Sequence, residues 1–209
     1  MDTKLFDLIQ NSKVIVFDFD GTIADTEPYS WIAHNKALEK YNIQLTEKDI
    51  KKYIGNNDKI IFANIERDFN IKLNFETHFK ERLNFYLTSV MESDLQPFEF
   101  IKEILKTFSD KTFYILSSNN ENIIRSILNK WNMESKFEKV YSMLDLNLNK
   151  EHCIQNSQEF FKVPASKLIL FEDSTKTINM AKTYNAKTVL IENDINKNDV
   201  CIYDYKIKV

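Results

Sequence analysis

Glycine is nearly absent. Two glycines and three prolines in 209 residues leave no material for a flexible linker, and no internal repeat or low-complexity segment interrupts the chain. Cysteine is as scarce. Cys153 and Cys201 have no metal-type spacing, so they read as small hydrophobes, and the cytoplasm is the expected compartment. No apolar run approaches the roughly 18 residues that span a bilayer. Met1 to Lys13 carries Asp2, Lys4 and Asp7, so no signal peptide is expected. A net charge of -3 supplies neither the basic footprint of a nucleic-acid binder nor a long acidic tail. Of the three histidines, His34, His78 and His152, no two stand at a ligand spacing. All lie on expected helices and none is assigned catalysis.

Apolar residues make up 43% and aromatics 13% of the chain, ample for a sizeable core. "VIVF" (Val14 to Phe17) is apolar on both faces and reads as a fully buried strand. "TFYIL", "KLILF" and "KTVLI" have the same character, with helical patterns between them. Ile123, Ile124, Ile127, Leu128 and Trp131 form one, and Ser174 caps another through Ile178, Ala181 and Tyr184. This alternation predicts an α/β fold, a doubly wound parallel sheet covered on both sides. From Pro28 to about Ser89 only helical signals occur. Thr46 with Asp49 resembles a capping box. Phe75, Phe79, Leu83, Tyr86, Leu87 and Val90 form a stripe near a period of 3.6. Pro97 is expected in the first turn of a helix carrying Phe98, Ile101, Leu105 and Phe108.

One of the two glycines sits in "VIVFDFDGT". Residues i and i+2 of a strand point the same way, so Asp18 and Asp20 project together from its C-terminal end. Open α/β sheets bind ligands at that end. Two carboxylates so close repel each other unless a cation lies between them. Gly21 lets the chain turn sharply and brings backbone amides near a ligand, and Thr22 adds a hydroxyl. The set suits a magnesium ion and a phosphoryl group, with one carboxylate free to attack phosphorus.

"DFDGT" resembles the first motif of the haloacid dehalogenase-like hydrolases, a superfamily of mostly magnesium-dependent phosphatases. "DTEPYSW" is similar to the segment entering the helical cap of the phosphoglucomutase-like branch, "LQPFEFIKEIL" to the return to the core, and "FEDS" to the later acidic motif. The resemblance implies a Rossmann-like core of residues 1–19 and 93–209, with an inserted α-helical cap domain and its linkers at 20–92. The cap is expected to close over the site and select the leaving group.

On these positions the resemblance makes Asp18 the nucleophile and a magnesium ligand. Asp20 ligates through its carbonyl while its side chain serves as general acid and base. Asp173 completes the metal site, with Glu172 ligating directly or through water; by itself "FEDS" is equally an acidic helix N-terminus. Ser117 is the expected phosphate-binding hydroxyl, with Ser118 and Asn119 lending amides or side chains. "SSNN" is otherwise a polar turn that caps a helix. Lys150, about 14 residues ahead of Pro164, is the expected cation, although the usual Lys-Pro-x-Pro pattern of the branch is missing. Asn56, Asn57 and Lys59 are candidate substrate contacts on a cap loop. Ser30 stands where the mutase has a histidine, and no clear basic residue follows "GNN". Those departures favour water as phosphoryl acceptor.

The expected protein is therefore a monomeric, magnesium-dependent phosphatase of a small phosphomonoester, a sugar phosphate or nucleotide, with no nucleic-acid or membrane partner. The alternatives are a phosphotransferase or phosphomutase on a sugar phosphate, and a catalytically inactive phospho-ligand-binding protein.

Overall fold

A computed structural model of the protein describes residues 1–53 and 58–209. Its centre is a parallel sheet of six strands: β1 (Val14–Phe17), β2 (Thr112–Ser117), β3 (Lys139–Ser142), β4 (Leu168–Glu172), β5 (Lys187–Glu192) and β6 (Tyr205–Lys208). Their order is β3-β2-β1-β4-β5-β6. Val14 lies level with Thr112 on one side and Leu168 on the other. The chain builds outward from β1 to β3, then returns to lay β4 on the opposite flank of β1. That reversal makes the C-terminal ends of β1 and β4 the switch point of the sheet, the position where such sheets take ligands.

Every residue of β1 and β4 is buried, because a central parallel strand is covered on both faces. Val14 and Val16 join one cluster with Leu116, Phe161, Leu168 and Leu170. Phe17 points the other way, its ring 4.8 Å from Phe171 and 6.3 Å from Phe113. β3 and β6, which the sequence pattern did not reveal, are edge strands of mixed composition, four residues each.

Helices 3–10, 99–107, 121–130, 150–155 and 175–183 pack in the same unit. Ser174 caps the last of these, its Oγ accepting from the Thr177 amide at 3.3 Å. The helix expected to contain Pro97 begins at Glu99, with Phe98 in the cap position. Pro97 lies just outside it, and Phe98 instead donates its amide to the Ile23 carbonyl at 2.9 Å.

The chain divides into two compact units, Met1–Asp25 with Leu95–Val209, and Thr26–Asp94. The second is helical, with helices at 27–38, 47–53, 58–69 and 75–92. Thr46 and Asp49 form the reciprocal cap: the Thr46 amide donates to Asp49 Oδ2 at 2.9 Å, and the Asp49 amide to Thr46 Oγ1 at 3.3 Å. Trp31, Leu38, Leu45, Tyr53, Ile61, Phe62 and Ile65 make its core.

The stripe on helix 75–92 departs from the expected one. His78, Arg82, Tyr86 and Val90 are buried, while Phe75, Phe79, Leu83 and Leu87 are half-buried. Arg82 can occupy this row because Asp58 pairs with it, Nε to Oδ1 at 3.1 Å. His78 enters as a ring, 4.7 Å from Phe62. No helix among the described residues is long and apolar enough to cross a membrane.

Candidate active site

Asp18 is the first residue beyond β1. Its amide donates to the Phe171 carbonyl at 2.9 Å, so the sheet ladder extends into the site and fixes the backbone from which the carboxylate projects. The side chain is almost wholly buried. Gly21 follows in the left-handed region, φ 69°, inside a tight turn in which its amide donates to the Ala24 carbonyl at 3.0 Å. A side chain there would be strained, and its Cβ would collide with the carboxylate of Asp173. One of the scarce glycines is thus required twice over, by conformation and by close approach.

Lys150, at the start of helix 150–155, sends its ammonium between two acids. Nζ lies 2.9 Å from Asp18 Oδ1 and 2.7 Å from Glu172 Oε2. Glu172 is fully buried at the end of β4, and its Oε1 accepts from the Ser174 amide at 3.0 Å. Burial works against the Lys150 ammonium, but Asp18 and Glu172 outweigh it and hold its pKa above the usual lysine range. The Asp18 carboxyl is pushed well above its usual range by burial, then by Glu172. Asp173 is pushed up to about 7, again by burial first and by Asp18 next.

Asp18, Glu172 and Asp173 can bring one oxygen each within 4.8 Å of one another. Fully ionised, three carboxylates against one ammonium would leave two negative charges in excess in this largely desolvated site, and burial and mutual repulsion raise their pKa values until a cation offsets them. All-oxygen donors with that surplus suit a hard divalent cation such as Mg2+. With Glu172 engaged by Lys150 and Ser174, Asp18 and Asp173 are the carboxylates better placed to hold it.

The second acid of the first motif, Asp20, accepts from Asn119 Nδ2 at 3.1 Å. Asn119 also donates its amide to Ser117 Oγ at 3.1 Å. Its side chain therefore lies against Asp20, and Ser117 is buried at the end of β2. Ser118 is exposed. Thr22 is fully buried, and its hydroxyl has no hydrogen-bond partner among the described residues. In the helical unit Lys59 is exposed, while Asn56 and Asn57 lie outside the described residues.

The sequence reading missed Asn193 and Asn196, in the turn after β5. Asn196 Nδ2 donates to the carbonyls of Asp173 and Ile191 at 2.7 and 2.8 Å, and Asn193 Nδ2 approaches Asp173 Oδ2 at 3.4 Å. Their one sequence signal is position, just past the strand that neighbours "FEDS" in the sheet.

A Rossmann-like sheet with buried acids and a lysine at its switch point defines the class of fold and site. The chain belongs to the haloacid dehalogenase-like hydrolases, whose family model matches residues 15–191. Similar solved structures include CbbY from Rhodobacter sphaeroides in complex with phosphate, TM-score 0.82 at 14% identity, covering 94% of this chain and 93% of that one. A predicted phosphoglycolate phosphatase from Haemophilus somnus gives 0.77 at 17%, covering 94% and 93%. Beta-phosphoglucomutase from Clostridium difficile gives 0.73 at 20%, covering 94% and 90%. No curated relative matches the sequence.

Proposed function

We propose that this hydrolase is a magnesium-dependent phosphatase acting on a small phosphomonoester, a sugar phosphate or nucleotide. The observation that carries the reading is the cluster at the ends of β1 and β4 of buried Asp18 and Glu172 with half-buried Lys150 and Asp173. The similarity to CbbY, crystallised with phosphate and, as a mutant, with xylulose-(1,5)bisphosphate, supports a phosphoryl ligand.

Asp18 attacks phosphorus through a carboxylate oxygen while the bond to the leaving oxygen breaks, giving an aspartyl-phosphate. Asp20, oriented by the Asn119 amide, gives its proton to that leaving oxygen. Asp20 then takes a proton from water as the water attacks phosphorus, which returns Asp18 as a carboxylate and releases phosphate. Lys150 keeps its charge throughout and holds Asp18 Oδ1, offsetting charge that builds on the transferring group. Magnesium, when bound by Asp18, Asp173 and the carbonyl of Asp20, supplies charge neutralisation at the phosphoryl oxygens. Ser117 and the amides after it are assigned to the phosphate, and leaving-group selection to the helical unit. The free thiols of Cys153 and Cys201 agree with a cytoplasmic protein, and a monomer suffices for this chemistry.

Transfer to a second substrate is the other reading. It is disfavoured by Ser30, which stands where the mutase branch of the family has a histidine.

The test is phosphate release from a panel of phosphomonoesters with and without magnesium, for the wild type and Asp18→Asn. Magnesium-dependent release that disappears in the variant is expected. Release that survives the substitution rejects Asp18 as the nucleophile, and none from any ester with folded protein rejects the phosphatase.

A further inference from the structure

The turn after β5 is built around two asparagines that no step of the proposed reaction uses. Asn196 is 5% exposed, and its side-chain amide bonds only to backbone. Nδ2 donates to the Asp173 carbonyl at 2.7 Å and the Ile191 carbonyl at 2.8 Å, while Oδ1 accepts from the Asn193 amide at 3.0 Å. Asn193 returns the favour, its Oδ1 accepting from the amides of Ile195 and Asn196 at 2.9 and 3.1 Å. Its Nδ2 reaches Asp173 Oδ2 at 3.4 Å. A buried side-chain amide with three partners and no wasted group is a staple between the ends of β4 and β5.

What the staple holds is the residue whose position matters most to a cation. Asp173 lies past the last paired residue of β4, so the sheet no longer fixes it. Its Oδ2 lies against the empty Cβ position of Gly21 and within reach of Asn193 Nδ2, while its carbonyl is held by Asn196. We infer that Asn193 and Asn196 are positioning residues for Asp173, setting the affinity of the site for a divalent cation without touching substrate. The inference rests on the magnesium reading above. Partners that orient a metal ligand from behind commonly matter about 10–100-fold in metal affinity.

Magnesium is titrated calorimetrically into the wild type and Asn196→Ala. The variant is expected to bind at least about tenfold more weakly. The magnesium concentration that half-saturates phosphate release rises by the same factor, while kcat at saturating magnesium returns near wild type. A role in folding alone would lower the active fraction and leave metal affinity unmoved. Unchanged affinity overturns the inference. Should Asn196→Ala fail to fold, Asn193→Ala carries the test, with a smaller shift in the same direction, and no shift overturns it. If the wild type takes up no magnesium, the metal reading falls instead. Amide exchange in the metal-free protein then decides: faster exchange at Asp173 to Thr175 in the variant sustains the positioning role, and unchanged exchange overturns it.

Discussion

Gly21 leaves vacant the space that the Asp173 carboxylate fills. The two residues come from motifs about 150 positions apart in sequence, yet a Cβ on one would collide with the carboxylate of the other. The glycine also holds a φ of 69°. Gly21→Ala should cost about 1–2 kcal/mol of stability from backbone strain alone. The larger effect falls on activity. A displacement of about 1 Å in a group that organises a reaction can cost about a hundredfold, so phosphate release should drop by that order while the fold survives. Thermal melting beside steady-state kinetics checks both, and an unimpaired variant would contradict the close-approach argument.

Lys150 is the counter-ion of a carboxylate that has no access to water. Removing it as Lys150→Met strands the wholly buried Glu172, and breaking a buried pair from one side costs about 3–5 kcal/mol. Adding Glu172→Gln removes the stranded charge and should recover most of that loss without restoring activity. Urea unfolding of the two variants checks the order, and equal stabilities would contradict the pairing.

The helical unit should weaken in acid. Burial, then Arg82 and His78, holds His34 well below its usual 6.5; burial, then Lys40, lowers His78. Asp58 faces Arg82 and His34 across the same cluster, Nε2 of His34 standing 3.8 Å from it. Below pH 6.5 the unfolded chain takes up protons that the folded unit refuses. Stability is therefore complete above about pH 6.5 and is lost as pH falls toward the depressed folded values. The slope is at most about 1.4 kcal/mol per pH unit for each histidine. A His34→Phe, His78→Phe double variant should flatten that slope, read by amide exchange within 26–94 between pH 7 and 5. An unaltered slope would show that other groups titrate there.

How far the chain could be read varies with how local each signal is. "VIVF" and "KLILF" are legible because strands covered on both faces show an unbroken apolar run, Val14 to Phe17 and Leu168 to Phe171. "KVYS" and "YKIK" are not, because edge strands share their composition with loops. The acids of "DFDGT" and "FEDS" stand out as motifs, and the structure brings Asp18, Glu172 and Asp173 together. Lys150 had only a spacing to recommend it, yet its ammonium lies between two of those acids. Asn196 had no signal beyond its position just past a strand. Its work is to join the ends of two strands that become neighbours only when the sheet forms. His78 and Arg82 were hidden for the opposite reason, since periodicity ranks polar residues outward and cannot register Asp58 on another helix.

Asp20 carries the proton in both halves of the proposed reaction. Asp20→Asn should therefore reduce turnover by about 10²–10⁴, with the loss greatest for substrates whose leaving oxygen is most basic. A substrate with a good leaving group needs no acid in the first half. It should therefore phosphorylate this variant rapidly and then stall at hydrolysis.

That stalled species offers the most direct measurement of the central claim. The Asp20→Asn variant is mixed with an activated phosphomonoester and magnesium, quenched in acid, digested and examined by mass spectrometry. The account predicts phosphate on the peptide containing Asp18, absent when Asp18→Asn is added. Turnover by the wild type with no phosphate on Asp18 in either protein would contradict it.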